Sequence, residues 1–303
     1  MKEILVISGK GGAGKTSLTA ALAGLMAPCV LVDCDVDAAD LHLLLQPEVQ
    51  ETHPFISGQE PVLDGSRCVG CGRCEELCRF EAIRLSPAGK PSLVPGACEG
   101  CGVCADHCPE KAIAMTPRQC GEWHRSATPV GTMIHARLFP GAENSGKLVA
   151  SIRKTARETA LAQGCDFLLS DGPPGIGCPV IASLSGVDFA LLVTEPSVSG
   201  LHDLQRAAEL VRGFEVDFQV VINKADIHPA MTADIEDFCK SQQIDVAGKI
   251  SYSRLFVEAL RKGQTVMAHP GSEPEQEIMA LWKHLSSLKA FQKTPNNDKE
   301  AEA

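Results

Sequence analysis

Two groups of residues in this 303-residue chain have the types and spacing to do chemistry. The first is Gly9-Lys10-Gly11-Gly12-Ala13-Gly14-Lys15-Thr16, which fits G-x-x-x-x-G-K-[ST] throughout. An apolar run, Ile4 to Ile7, precedes it, and a small-residue helix from Ser17 to Ala27 follows. Strand, glycine turn and helix N-terminus together form a cradle of inward N–H groups with partial positive charge, suited to phosphate. The pattern sets Lys15 on the β- and γ-phosphates and the Thr16 hydroxyl on Mg²⁺. Lys10 is extra to the general pattern. The second group is eight cysteines in two copies, Cys68-x2-Cys71-x2-Cys74-x3-Cys78 and Cys98-x2-Cys101-x2-Cys104-x3-Cys108. In such runs three cysteines hold one [4Fe–4S] cluster and the fourth crosses to another. Cys68, Cys71, Cys74 and Cys108 would bind one cluster; Cys98, Cys101, Cys104 and Cys78 would bind the second. Zinc is the alternative, although zinc sites usually pair two separate C-x-x-C arms rather than four cysteines in one short run.

These residues need a frame. A second apolar run, Val30 to Val32, ends in Asp33, Asp35, Asp37 and Asp40. Carboxylates at the C-terminal edge of a strand lie where parallel sheets bind ligands, so the cluster reads as a switch that positions magnesium and water. Leu41 to Leu45 predicts a short helical turn, and Pro47 and Pro54 predict a break. The cysteine segment is an internal duplication, with Gly70 and Gly72 repeated as Gly100 and Gly102, and Ala82-Ile83 as Ala112-Ile113. Beyond it, strands predicted over 132–137, 166–170, 188–193, 217–222 and 245–250 alternate with helices over 146–163, 200–212, 229–240, 254–261 and 274–291. The pattern implies an α/β fold, a doubly wound mostly parallel sheet carrying an inserted α+β unit. The expected organisation is 1–58 and 118–291 for the two parts of the nucleotide domain, 59–117 for the insertion, and a disordered tail over 292–303. A net charge of −10 argues against a general nucleic-acid surface. No apolar stretch is long enough to span a membrane, and Met1-Lys2-Glu3 runs directly into the first strand. A cytoplasmic protein is therefore expected, in which 14 cysteines point to metal rather than disulfides. The acidic tail also speaks against membrane contact.

The cysteine segment resembles a bacterial two-[4Fe–4S] ferredoxin over its length, with Arg79 where that family usually has the proline seen at Pro109. Lys10 before Gly11-Gly12-Ala13-Gly14-Lys15-Thr16 resembles the deviant Walker A loop of MinD/ParA-class P-loop ATPases, which include the nitrogenase iron protein. Val32-Asp33-Cys34-Asp35, Asp171-Gly172-Pro173-Pro174-Gly175 and Asn223 fit that resemblance. So do the stretches 173–179 and 143–147, typical of the subgroup with an inserted ferredoxin domain. The resemblance implies an ATP hydrolase whose nucleotide lies on Gly9 to Ser17. Lys10 would reach a partner's nucleotide across a homodimer, Asp35 would orient the attacking water, and Asp171 would hold the Mg²⁺ shell. Asn223 would contact the base. Asn223-Lys224-Ala225-Asp226 also reads as the N-K-x-D of guanine binders, which leaves GTP open beside ATP through Asp226. Cys178 lies near where the nitrogenase iron protein places a ligand of its subunit-bridging cluster, with Cys120 a possible companion, although an ordinary thiol is the default. The function implied is ATP-driven electron delivery through the two clusters to an unidentified acceptor protein. The alternatives are an iron–sulfur carrier or scaffold, and a MinD-like spatial regulator of cell division.

Overall fold

A computed structural model describes residues 1–142 and 145–291. The 292–303 tail and Glu143-Asn144 lie outside the described residues. Eleven strands run in chain order as β1 Lys2–Ser8, β2 Val30–Asp33, β3 Glu48–Leu63, β4 Ile83–Leu85, β5 Pro91–Leu93, β6 Ile113–Thr128, β7 Gly131–Leu138, β8 Phe167–Pro174, β9 Phe189–Thr194, β10 Phe218–Asn223 and β11 Val246–Ile250. The helices are α1 Lys15–Met26, α2 Leu41–Leu45, α3 Arg73–Glu76, α4 Val103–Asp106, α5 Ser145–Ala162, α6 Cys178–Leu184, α7 Val198–Gly213, α8 Pro229–Ser241, α9 Leu255–Arg261 and α10 Glu273–Ser287. Nine strands share one sheet, ordered β11-β10-β9-β1-β8-β2-β7-β6-β3. Pairing is parallel from β11 to β7. Only two residues separate β6 from β7, which makes that pair an antiparallel hairpin, so the sheet is mixed.

The chain divides into two compact units. One comprises Met1–Thr52, Trp123–Arg137 and the chain from Ser145 onward. Its central strands β1, β2 and β9 are buried almost throughout, which is why they read as apolar runs. Alternation along β1 sorts the two sides. Ile4 and Val6 join a core with Leu22 of α1, Leu281 and Leu285 of α10, and Phe291. Leu5 and Ile7 join a separate core with Val180 of α6, Leu204 of α7 and Ile235 of α8. Helices on both faces of one sheet make the doubly wound arrangement. Among the described residues no helix is long and apolar enough to cross a membrane.

The other unit comprises His53–Glu122 and the segment that begins at Leu138. It repeats a short design. Each copy has a left-handed glycine, Gly72 or Gly102, that opens a helical turn, α3 or α4. After each turn an Ala-Ile pair is buried, Ala82-Ile83 in one copy and Ala112-Ile113 in the other. β4 and β5 form a small antiparallel ribbon in which Ile83 faces Leu93.

The sequence patterns missed β3 and β6 as long strands. The break expected around Pro47 and Pro54 is instead the 16-residue strand Glu48–Leu63, which contains Pro54 and Pro61. β3 ends the strand order, and a proline on an edge strand forfeits no interior ladder bond. The compositional borders at 58 and 117 accordingly fall within β3 and β6. The last predicted helix, 274–291, is α10 plus a separate turn of 3-10 helix, Lys289–Phe291.

Candidate nucleotide site and cysteine cavities

The glycine loop joins β1 to α1, and Gly14 at its end has φ of 92° as the helix cap. A Cβ there would lie 2.1 Å from Asn223 Nδ2, which donates to the Ala13 carbonyl at 2.8 Å. Gly14 thus serves both the turn and the close approach of β10. Gly11 and Gly12 are exposed, Ala13 is buried, and Gly9 and Ser17 are half-buried.

Lys15 and the carboxylates converge behind the loop. Lys15 Nζ lies 3.4 Å from Asp35 Oδ2 and 3.5 Å from Asp171 Oδ2, with its side chain only 8% exposed. The Thr16 hydroxyl donates to Asp171 Oδ2 at 2.7 Å, and the Thr19 hydroxyl to Asp171 Oδ1 at 2.9 Å. Asp33 is fully buried and ties the acidic loop down, accepting from the Asp35 N–H at 3.1 Å and the Leu41 N–H at 3.2 Å. Burial pushes the Asp171 and Asp35 carboxyls up, against the pull of Lys15. Burial also pushes Asp33 up, and the neighbouring Asp171 charge adds to it. Burial works the other way on Lys15, but Asp171, Asp35 and Asp33 outweigh it and hold its ammonium above the usual range. A hydroxyl and carboxylates beside a helix N-terminus are hard oxygen donors that suit Mg²⁺. That ion is ordinarily held by one or two carboxylates plus water and substrate phosphate.

Lys10 points elsewhere. Its Nζ lies 2.6 Å from Glu195 Oε1 and within 3.2 Å and 3.0 Å of the Ser197 and Ser199 hydroxyls. Glu195 Oε2 meets Lys224 Nζ at 2.7 Å, and the same ammonium donates to the Gly12 carbonyl at 3.0 Å. Asp226 is also engaged: its Oδ1 accepts from the Tyr252 N–H at 2.6 Å. Sequence reasoning missed Glu195 as a site residue. The available signal was a carboxylate one residue beyond the buried strand β9.

In the other unit the eight cysteines line two cavities. Cys68, Cys71 and Cys74 line the first together with Cys108. Cys98, Cys101 and Cys104 line the second together with Cys78. Each cavity therefore takes three thiols from one copy and the fourth from the other. All eight are free thiols. Backbone N–H groups already face sulfur: Ala82 to Cys78 at 3.2 Å, Ala112 to Cys108 at 3.3 Å and Gly100 to Cys98 at 3.4 Å. The walls are apolar, with Leu63, Leu85 and Ile113 in the first and Phe80, Ile83 and Met115 in the second. Among the described residues no three Cys, His, Asp or Glu side chains converge on a point that would hold one metal ion. A [4Fe–4S] cube differs from a single ion in that each of its four irons takes one thiolate, and each cavity is lined by four cysteines. Cys178 is exposed at the start of α6, and Cys120 is buried with its thiol on the Ser57 carbonyl at 3.0 Å. Cys29, Cys34 and Cys239 are buried as expected of core residues, whereas Cys165 is half-buried.

Residues 4–266 match the CobQ/CobB/MinD/ParA nucleotide binding domain family, CbiA. The chain belongs to this family. Its relatives include an uncharacterised protein of Methanocaldococcus jannaschii, 36% identical over 73% of this chain and 78% of that one. An iron-sulfur cluster carrier protein of Pyrococcus horikoshii is 22% identical over 93% of this chain and 85% of its own length. The fold matches the septum site-determining protein MinD complexed with Mg-ADP from Pyrococcus horikoshii OT3, with a TM-score of 0.58 and 17% identity over 97% of this chain and 99% of that one. The protein is thus a MinD/ParA-family P-loop ATPase with a mostly parallel sheet.

Proposed function

We propose that the protein is a homodimeric ATPase that couples ATP binding and hydrolysis to electron transfer through two [4Fe–4S] clusters to a partner protein. The observation that carries this reading is the exchange of fourth cysteines between the two cavities, in a chain that also bears the P-loop. Bound clusters would supply one-electron chemistry, with Cys68, Cys71, Cys74 and Cys108 holding one and Cys98, Cys101, Cys104 and Cys78 the other. In this reading residues 59–117 form the electron-carrying insertion and 1–58 with 118–291 the ATPase.

Phosphoryl transfer depends mainly on positioning and charge neutralisation. Loop N–H groups and the α1 N-terminus bind the phosphates, and Lys15 draws off negative charge as it builds on the transferred group. Thr16 and Asp171 would hold Mg²⁺, which would neutralise phosphate charge, and Asp35 would orient the attacking water. Lys10 reaches the nucleotide of the partner subunit. Asn223, which braces the loop through the Ala13 carbonyl, would contact the base. ATP is favoured over GTP because the Lys10-bearing loop resembles that of the ATPases of this class.

The test is the rate of electron transfer from the reduced protein to candidate acceptors, with and without MgATP. MgATP should accelerate it in the native chain and not in Lys15→Ala; equal rates in both would overturn the coupling. A second reading, as a cluster carrier, draws on the likeness to the P. horikoshii carrier protein. Loss of iron to an apo-acceptor would favour it, and retention of all iron would count against it.

A further inference from the structure

Glu195, on the Lys10 side of the loop, binds two ammonium groups at once. Oε1 takes Lys10 and Oε2 takes Lys224, with all three side chains between about a fifth and a third exposed. The nearby hydroxyls of Ser197 and Ser199 complete the cage around Lys10. Lys224 is fixed a second time, on the Gly12 carbonyl within the loop. Burial works against the Glu195 carboxylate, but hydrogen bonds from Lys10 and Lys224 outweigh it and hold Glu195 below the usual carboxylate range.

We infer that Glu195 is a positioning residue that keeps Lys10 on its own chain until ATP-dependent pairing with a second copy draws the lysine away. The inference rests on the homodimeric ATPase reading above, in which Lys10 acts in trans. The two-cation arrangement makes the exchange easy in one direction. When Lys10 leaves, Glu195 is not stranded, because Lys224 still neutralises it. Departure also leaves the loop in shape, since Lys224 keeps its hold on Gly12 and Asn223 its hold on Ala13. The cost falls on Lys10 alone, which gives up one partly screened ion pair and two hydroxyl contacts. Glu195 therefore opposes dimer formation by a modest, fixed amount.

The experiment measures the protein concentration for half-maximal dimer formation, by sedimentation of the full chain at saturating ATP or a non-hydrolysed analogue. Glu195→Gln should lower that concentration by about fivefold, the worth of the two partly exposed ion pairs that each dimer must break, one per chain. The shift should vanish when Lys10→Ala is also present, a coupling that mere loosening of the fold would not produce. Ser199→Ala, which removes a weaker exposed contact, should shift the midpoint the same way by less, and it stands in if Glu195→Gln fails to fold. An unchanged or raised midpoint in the soluble variants overturns the inference. If Lys10→Ala alone dimerises and hydrolyses ATP like the native chain, the trans reading of Lys10 fails instead. If Lys10→Ala is defective yet Glu195→Gln has no effect, only the role of Glu195 falls.

Discussion

Gly100 offers a stringent test of the cysteine cavities. Its φ is 67°, and a Cβ there would stand 2.3 Å from the Gln59 carbonyl oxygen, a backbone atom with no side-chain freedom to yield. Gly96, a few residues earlier, has φ of 75° but open space around its Cβ position. Neither glycine lines a cavity, so an added methyl does not occupy cluster space directly. Gly→Ala at either site incurs the left-handed backbone strain, about 1–2 kcal/mol. Gly100→Ala must in addition push the loop off β3, and with a contact this short that adds on the order of 2–3 kcal/mol, in the upper range for a single substitution. The displaced loop carries Cys98 and Cys101. Gly100→Ala should therefore lose the second cluster and keep the first, halving the iron per chain and removing one set of signals from the reduced electron paramagnetic resonance spectrum. Gly96→Ala should retain both. Equal iron and identical spectra in the two variants would refute the argument from Gln59 and the cluster assignment built on it.

Two predictions concern the nucleotide unit. Glu3 is 1% exposed in β1, and its carboxylate binds Arg153 and Arg157 of α5, with Arg153 Nε at 2.9 Å and Arg157 Nε at 3.1 Å. Glu3→Gln strands the buried Arg153 charge and should cost about 3–5 kcal/mol in urea unfolding; a loss below about 1 kcal/mol would show the network to be dispensable. His135 is held down to about 4 by burial and by its neighbours His124 and His42. Its folded value lies below its unfolded one, so between the two the unfolded chain binds more protons and stability falls as pH drops from about 6.5 to 4. His135→Gln keeps a polar partner for Ser126 and should flatten that part of the stability profile, by on the order of 1–2 kcal/mol after allowance for partial exposure; an unchanged slope would remove His135 as its source.

What the sequence made legible follows from the kind of interaction involved. Ile4 to Ile7 and Val30 to Val32 are buried on both faces, so composition alone marks them as interior parallel strands. The loop Gly9 to Thr16 was readable because phosphate binding needs contiguous residues. β3 escaped notice because an edge strand tolerates Pro54 and Pro61 and alternates weakly, with Phe55 and Ser57 buried among exposed neighbours. Glu195 escaped because its meaning lies in Lys10 and Lys224, 185 and 29 residues away in sequence, and no local pattern records such a meeting. Asn223 was flagged for a base, yet its amide also braces Ala13, a use visible only in three dimensions.

The exchange of fourth cysteines has a consequence for how the chain is made. Cutting between the copies, anywhere from Arg79 to Ala97, leaves neither piece with four thiols for one cavity. Synthesis runs from the N-terminus, so the first cavity lacks its last wall until Cys108 has been added. The second needs Cys104, four residues earlier. Both sets of thiols are thus completed within four residues of each other, before β6 begins at Ile113. The order of synthesis separates the two sets by only four residues, and removing either copy of the repeat would leave neither set complete.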